Sequence, residues 1–395
     1  MINFSMSRDE FRTLHFEQKP RFLRKCFDPA PYGWSLIDRA LDLQDPTREL
    51  LKVLYNGRTE PSAYVEEFID VGLRRRRILK DRLYNMIASG ATIVLNRIEL
   101  VSTPVRDICL EIGRFVGAQT SANAYASLGE EAATNVHWDT HDVFVVQVAG
   151  RKHWRLYEPT HPLPISSQVS NERKDEVPAT PVFDDVVEAG DILYVPRGWW
   201  HRVVPVAGYD TIHFTVAVHT PLILDYLVWA CASTLPDLVE LRHSLLGDTH
   251  DAARVDEAAQ VIAKALRDPA MLDAFYTRSQ QRERVVTPFN IDALVKQADR
   301  PLAAQTRVTL NARQANAESP VIHVNGNPIH LMGDHERIVR QLADTTSIDI
   351  ESLQARISDI PAEALQTLLR DLARADLIRL EAVVEPLREQ LPADL

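Results

Sequence analysis

At 395 residues with 45% apolar side chains, the chain is long enough for two or three domains with one substantial core, and its composition excludes wholesale disorder. A net charge of −11 excludes a general coat for nucleic acid or anionic membrane and suits a basic partner. Cys26, Cys109 and Cys231 are scattered without metal-ligand spacing, which reads as free thiols in a reducing compartment.

The first ten residues lack the apolar core of a signal peptide. The run 222–231 is broken by Asp225 and too short to span a bilayer, so the expected location is the cytoplasm, away from any membrane. Residues 7–118 alternate helical patterns with short strands. Ser7 followed by Glu10 is a helix start, with the serine capping and the glutamate reaching back. Residues 21–24 read as a strand, 64–73 and 81–88 as helices, 91–96 as a buried strand, and 104–116 as an amphipathic helix with Pro104 in its first turn. Arg74, Arg75, Arg76 and Arg77 form the strongest charge run. Four consecutive residues on a helix spread around its circumference, so the run reads as a solvated face, with an anchor for a partner protein or RNA phosphate as the alternative.

Eight short segments follow, at 123–128, 135–139, 143–149, 153–158, 183–188, 191–195, 202–205 and 211–219, separated by turn residues in the pattern of a small barrel. On an extended backbone His137 and Asp139 point to the same side and can share one ion. His201 comes after the 191–195 strand and the turn Pro196-Arg197-Gly198. Two imidazoles and one carboxylate with open positions favour Fe(II) used for oxygen chemistry over a closed structural zinc site. A lone His-x-Asp is ordinarily accidental. Here it is followed by a hairpin around Gly150, a polar insertion at 166–180, a strand, a turn and the second histidine.

Beyond the barrel the pattern turns helical from 222 to about 299, with 251–266 the clearest amphipathic run. Residues 321–331 read as two strands around Asn325-Gly326, followed by helices at 335–342, 350–356 and 361–375 and a strand at 377–381. Glu363 and Asp371 offset Arg370 and Arg374 on the third of these helices, so DNA binding is not expected.

The order of the metal motif resembles the JmjC and cupin-like branch of the 2-oxoglutarate oxygenases, and within it the ribosomal oxygenases, which hydroxylate side chains of ribosomal proteins. Phe16-Glu17-Gln18-Lys19-Pro20 and Asn123-Ala124-Tyr125 are similar to segments of that family. The resemblance implies an α+β chain: an oxygenase domain at 1–220 whose double-stranded β-helix spans about 121–220, a helical domain at 221–300 and a winged-helix-like domain at 301–395. The helical segment commonly makes the homodimer contact in the family.

The resemblance also implies Fe(II) on His137, Asp139 and His201, with 2-oxoglutarate and dioxygen as cosubstrates. Lys152 follows the Gly150 turn, can project inward and matches the family's basic residue for the far carboxylate; Arg151 is the better candidate for solvent. Thr134 and Thr215 are candidate hydroxyl partners of that carboxylate, and Ser127 aligns with a polar position lining the same cavity. Asn123 and Tyr125 share a strand face and match a pair used by histidine hydroxylases. The late-strand serine of those enzymes is Ala217 here, which leaves an arginine target open. His141, Asp142, His153 and His213 are set aside as ligands, the last two as core histidines.

The expected function is hydroxylation of a histidine or arginine on a basic ribosomal protein. Its alternatives are the same chemistry on a biosynthetic peptide or small metabolite, and a non-catalytic cupin-like or winged-helix binding protein. Lysine demethylation is disfavoured because chromatin-reading modules are absent from the sequence.

Overall fold

The computed structural model describes residues 1–43, 50–55, 57–129, 134–312, 321–343, 345 and 347–381. The chain divides into two units, Met1–His219 and Thr220–Leu395.

In the first unit the elements are α1 (Arg8–Leu14), β1 (Arg21–Leu23), α2 (Trp34–Leu43), β2 (Leu51–Leu54), β3 (Val65–Asp70), β4 (Leu73–Ile78), α3 (Lys80–Ala88), β5 (Thr92–Leu95), α4 (Thr103–Val116) and β6 (Gln119–Ser127). They continue as β7 (Asp142–Ala149), β8 (Arg151–Tyr157), β9 (Phe183–Glu188), β10 (Ile192–Val195), β11 (Trp200–Pro205) and β12 (Thr211–His219). A seven-stranded sheet in the order β1-β10-β7-β12-β6-β5-β2 faces a three-stranded sheet ordered β11-β8-β9, and every pairing is antiparallel. These two sheets face each other as an antiparallel barrel.

Strand alternation decides what each face meets. Ala122, Ala124 and Ala126 of β6, with Phe144, Val146, Phe214 and Val216, face outward into the main core under α1 and α4. Val143, Val145, Leu193, Trp154, Leu156 and Val187 form a second cluster between the two sheets. The capping box of α1 forms as read, with Ser7 and Glu10 bonded reciprocally.

Three sequence expectations give way. Residues 135–139 are no strand; the segment makes an isolated bridge, His137 to His201. The helix expected at 64–73 is replaced by the β3–β4 hairpin, and the arginines lie on a strand. Val71 and Gly72, both at positive φ (48° and 79°), form its two-residue turn, which matches the twist of the strands. Across the ladder Arg77 pairs with Glu66 at 2.6 Å and Arg76 with Glu67 at 2.6 Å. Each such exposed pair contributes only about 0–1 kcal/mol, yet opposite charges directly across a ladder favour the extended register. The elements α2 and β2 were not anticipated.

The second unit begins with α5 (Ile223–Ser233), α6 (Asp251–Leu266) and α7 (Pro269–Arg282). Ala230, Leu235 and Met271 form their small core. On α5, Ile223, Leu224, Leu227, Val228 and Cys231 recur at helical spacing on an exposed face, Ile223 being 80% and Val228 61% accessible. The chain then forms β13 (Arg307–Leu310), β14 (Val321–Val324), β15 (Asn327–His330), α8 (Asp334–Ala343), β16 (Ile348–Asp349), α9 (Ile350–Arg356), α10 (Ala362–Arg374) and β17 (Ile378–Glu381). A sheet ordered β16-β13-β17 and the β14–β15 hairpin share an aliphatic core with α8, α9 and α10. Its central strand, β13, was not read from the sequence. Among the described residues no helix is long and apolar enough to cross a membrane.

Candidate active site

The isolated bridge sets the site. His137 N–H donates to the His201 carbonyl at 3.1 Å, His201 N–H returns the bond at 2.7 Å, and Gly198 N–H binds the Asp139 carbonyl at 2.9 Å. Both imidazoles thereby lie on one side, 4.3 Å apart between ring centroids. Asp139 Oδ1 is 3.9 Å from His137 Nε2 and Oδ2 is 3.8 Å from His201 Nε2. One ligand atom from each residue lies within 4.8 Å of the others.

The tautomers suit a metal. His137 Nδ1 lies 2.8 Å from the Asn135 carbonyl and His201 Nδ1 3.1 Å from the Trp199 carbonyl. A carbonyl only accepts, so each Nδ1 carries the proton and each Nε2 presents a lone pair. Burial, reinforced by neighbouring His137, pushes His201 down to about 4, which keeps it neutral. Burial alone would raise Asp139, but the surrounding imidazoles of His201, His137 and His141 hold it below the usual carboxylate range. Two imidazoles that turn their Nε2 atoms to one carboxylate are a fitting donor set for a divalent iron.

The cavity behind this triad has a volume of about 120 Å³. Asn123 and Tyr125 from β6, Val143 and Val145 from β7, Lys152 and Trp154 from β8, and His213 and Thr215 from β12 all face into it, by the alternation of their strands. Thr134 and His141 line it as well. Lys152 is 3% accessible, and burial alone lowers its pKa to about 7. Among the described residues no acidic side chain pairs with it; its Nζ lies 2.9 Å from His213 Nδ1. Tyr125 stacks on His213 with centroids 4.8 Å apart, and burial raises its phenol to about 12. Asn123 Oδ1 accepts from Arg97 N–H at 3.2 Å, which fixes the amide.

Thus His137, Asp139, His201, Lys152, Thr134, Thr215, Asn123 and Tyr125 meet around one cavity. Ser127 does not line it. It is buried at the far end of the same β6 face, where its Oγ accepts from Gly129 N–H at 3.0 Å. Thr92, Trp154 and His213 line the cavity without having been nominated. His213 shares strand parity with Thr215, a signal that was present in the sequence. His153, by contrast, points out of the barrel to Asp184. Trp200 is buried behind the site, its Nε1–H donating to Thr160 Oγ1 at 2.9 Å.

A family profile described as the JmjC domain matches residues 94–226, the segment that carries this constellation. The chain is 28% identical over 213 residues to the bifunctional lysine-specific demethylase and histidyl-hydroxylase NO66 of Aedes aegypti, covering 53% of this chain and 33% of that protein. The corresponding protein of Culex quinquefasciatus is 27% identical over 260 residues, covering 63% of this chain and 39% of the relative. The chain therefore spans between a third and two fifths of these relatives' length. Among solved structures it is similar to YcfD, a ribosomal oxygenase from Escherichia coli in complex with cobalt and 2-oxoglutarate. That match has a TM-score of 0.55 at 14% identity and covers 97% of this chain and 100% of that one, a likeness of fold.

Proposed function

Because residues 94–226 match the JmjC domain profile, we propose that this chain is a ribosomal oxygenase of the JmjC type, an iron(II)- and 2-oxoglutarate-dependent enzyme that hydroxylates a side chain of a ribosomal protein in the cytoplasm. One observation carries the reading: a His137, Asp139 and His201 triad shares its cavity with Lys152, a buried amine that has no acidic partner among the described residues.

His137, Asp139 and His201 would hold the iron, and Lys152, with Thr134 and Thr215, the far carboxylate of 2-oxoglutarate. Iron and 2-oxoglutarate, when bound, supply the oxidising power that activates dioxygen for attack on an unreactive carbon. The chain's own contribution is aim and shelter. Val143, Val145 and Trp154 keep water from the inner cavity, and the carbonyls of Asn135 and Trp199 hold both imidazoles in the ligating tautomer. Asn123 and Tyr125 offer an amide and a phenol to orient the target, a histidine or an arginine.

We further infer that residues 221–300 form a homodimer contact, supported by the exposed apolar face of α5. Residues 301–395 fit a winged-helix-like domain used for protein contacts; of these, 313–320, 344, 346 and 382–395 lie outside the described residues. DNA is a poor ligand for it, because Arg370 and Arg374 of α10 spend their guanidinium groups on the carbonyls of Ala293, Arg300 and Leu294.

The deciding experiment loads the protein anaerobically with iron and 2-oxoglutarate, admits air in the presence of isolated ribosomal proteins, and seeks a gain of one oxygen by mass spectrometry. Succinate formed with no modified protein would redirect the reading to a peptide or small metabolite.

A further inference from the structure

The cavity holds a second buried base, His213, for which the reading above has no task. It stands on β12, 5% accessible, with Nδ1 2.9 Å from Lys152 Nζ. Its ring is clamped, parallel to Tyr125 at 4.8 Å and 7° and edge-on to Trp154 at 6.1 Å and 86°. An ammonium has only donors, so a charged Lys152 requires Nδ1 to accept, which places the His213 proton on Nε2. Two bases this close inside a protein do not both carry charge. Burial first, and then the neighbouring lysine, hold His213 far below its ordinary range, so the histidine stays neutral.

A lysine ends in a compact charge on a flexible four-carbon stem with three rotatable donors. Left alone in a cavity, such a group samples several directions. Tying one N–H to a fixed ring nitrogen leaves the remaining two with restricted orientations. We infer that His213 is the positioning residue that aims the Lys152 amine at the far carboxylate of the cosubstrate, an assignment that rests on the oxygenase reading above. No residue other than His213 is found hydrogen-bonded to Nζ among the described residues, and the clamp leaves the imidazole little freedom to follow a wandering amine.

The test is calorimetric titration of the full-length, Mn(II)-loaded protein with two 2-oxo acids. 2-Oxoglutarate carries the far carboxylate; 2-oxobutanoate has the same chelating end and lacks it. In His213→Phe, which keeps an aromatic ring against Tyr125, 2-oxoglutarate should bind about tenfold more weakly, while 2-oxobutanoate changes less than about twofold. His213→Asn, whose carboxamide oxygen can accept the ammonium hydrogen, should recover most of the loss. His213→Leu gives the same comparison should the phenyl ring not be accommodated.

Unchanged 2-oxoglutarate affinity in the Phe or Leu variant would overturn the assignment. Equal weakening of both acids would overturn it too, because His213 would then only support the barrel. Failure of the unsubstituted protein to bind 2-oxoglutarate at all would instead sink the oxygenase reading itself.

Discussion

His137 and His201, far apart in the chain, exchange both of their main-chain hydrogen bonds and so present their rings from adjacent backbones. Ring placement therefore depends on the backbone and survives loss of either side chain. Alanine at His137, Asp139 or His201 should leave the melting temperature within a few degrees and lower iron content to near zero. Iron-dependent succinate formation should fall by more than about a hundredfold. Elemental analysis and a succinate assay on the same sample check it; turnover that survived in any one variant would remove that residue from the ligand set.

Lys152 sets a pH dependence of stability in the metal-free protein. Its folded pKa, about 7, lies below its unfolded value, so the unfolded chain binds more protons between about 7 and 10.5 and stability rises with pH through that window. Below pH 7 the full cost of burying the charge is present. Lys152→Met should therefore stabilise the metal-free protein most at pH 6, with the advantage shrinking towards pH 10. Urea unfolding at several pH values tests this, and an advantage constant in pH would refute a buried titrating amine.

Two glycines at positive φ should respond unequally to alanine. At Gly150 (φ 65°) a Cβ would stand 2.0 Å from the Asp210 carbonyl oxygen, whereas at Gly208 (φ 81°) it would meet nothing within 4 Å. Gly208→Ala should cost about 1–2 kcal/mol from backbone conformation alone. Gly150→Ala should cost about 3 kcal/mol or more, because a backbone atom must also move. Comparable midpoints of chemical unfolding for the two variants would contradict the packing described.

If α5 forms a homodimer contact, a charge on its exposed face should dissociate it. Val228→Glu is expected to halve the sedimenting mass at micromolar concentration while leaving helicity unchanged. An unsubstituted protein that sediments as a monomer would dispose of the idea.

Much of the barrel was legible because its strands obey a period of two and end at turn residues: 183–188 and 211–219 match β9 and β12 to the residue. The His-x-Asp and the later histidine were readable as a pair of motifs, but their meeting depends on a bridge too short to leave a strand pattern. The arginine run is a solvated face as read, but it was set on a helix because its strand is exposed on both faces and shows no apolar alternation; its partners, Glu66 and Glu67, become visible only once the hairpin is closed. His213 was discounted by the general habit of core histidines, although its phase relative to Thr215 pointed inward. Ser127 had the right phase and lay too far along the strand.

The pairing of β12 with β7 slips by one residue between Ile212 and His213, so Val148 is the extra residue of a bulge. Gln147 staples it, donating through its amide to the carbonyls of Ala149 and Ile212 at 2.7 and 3.3 Å. That surplus residue fixes the phase in which the chain rounds Gly150 and crosses to the smaller sheet. With β7 shortened by one, β8 would turn Arg151 and His153 towards His137, Asp139 and His201 and expel the amine to solvent: the choice of cation in the barrel is made by counting backbone units one strand earlier.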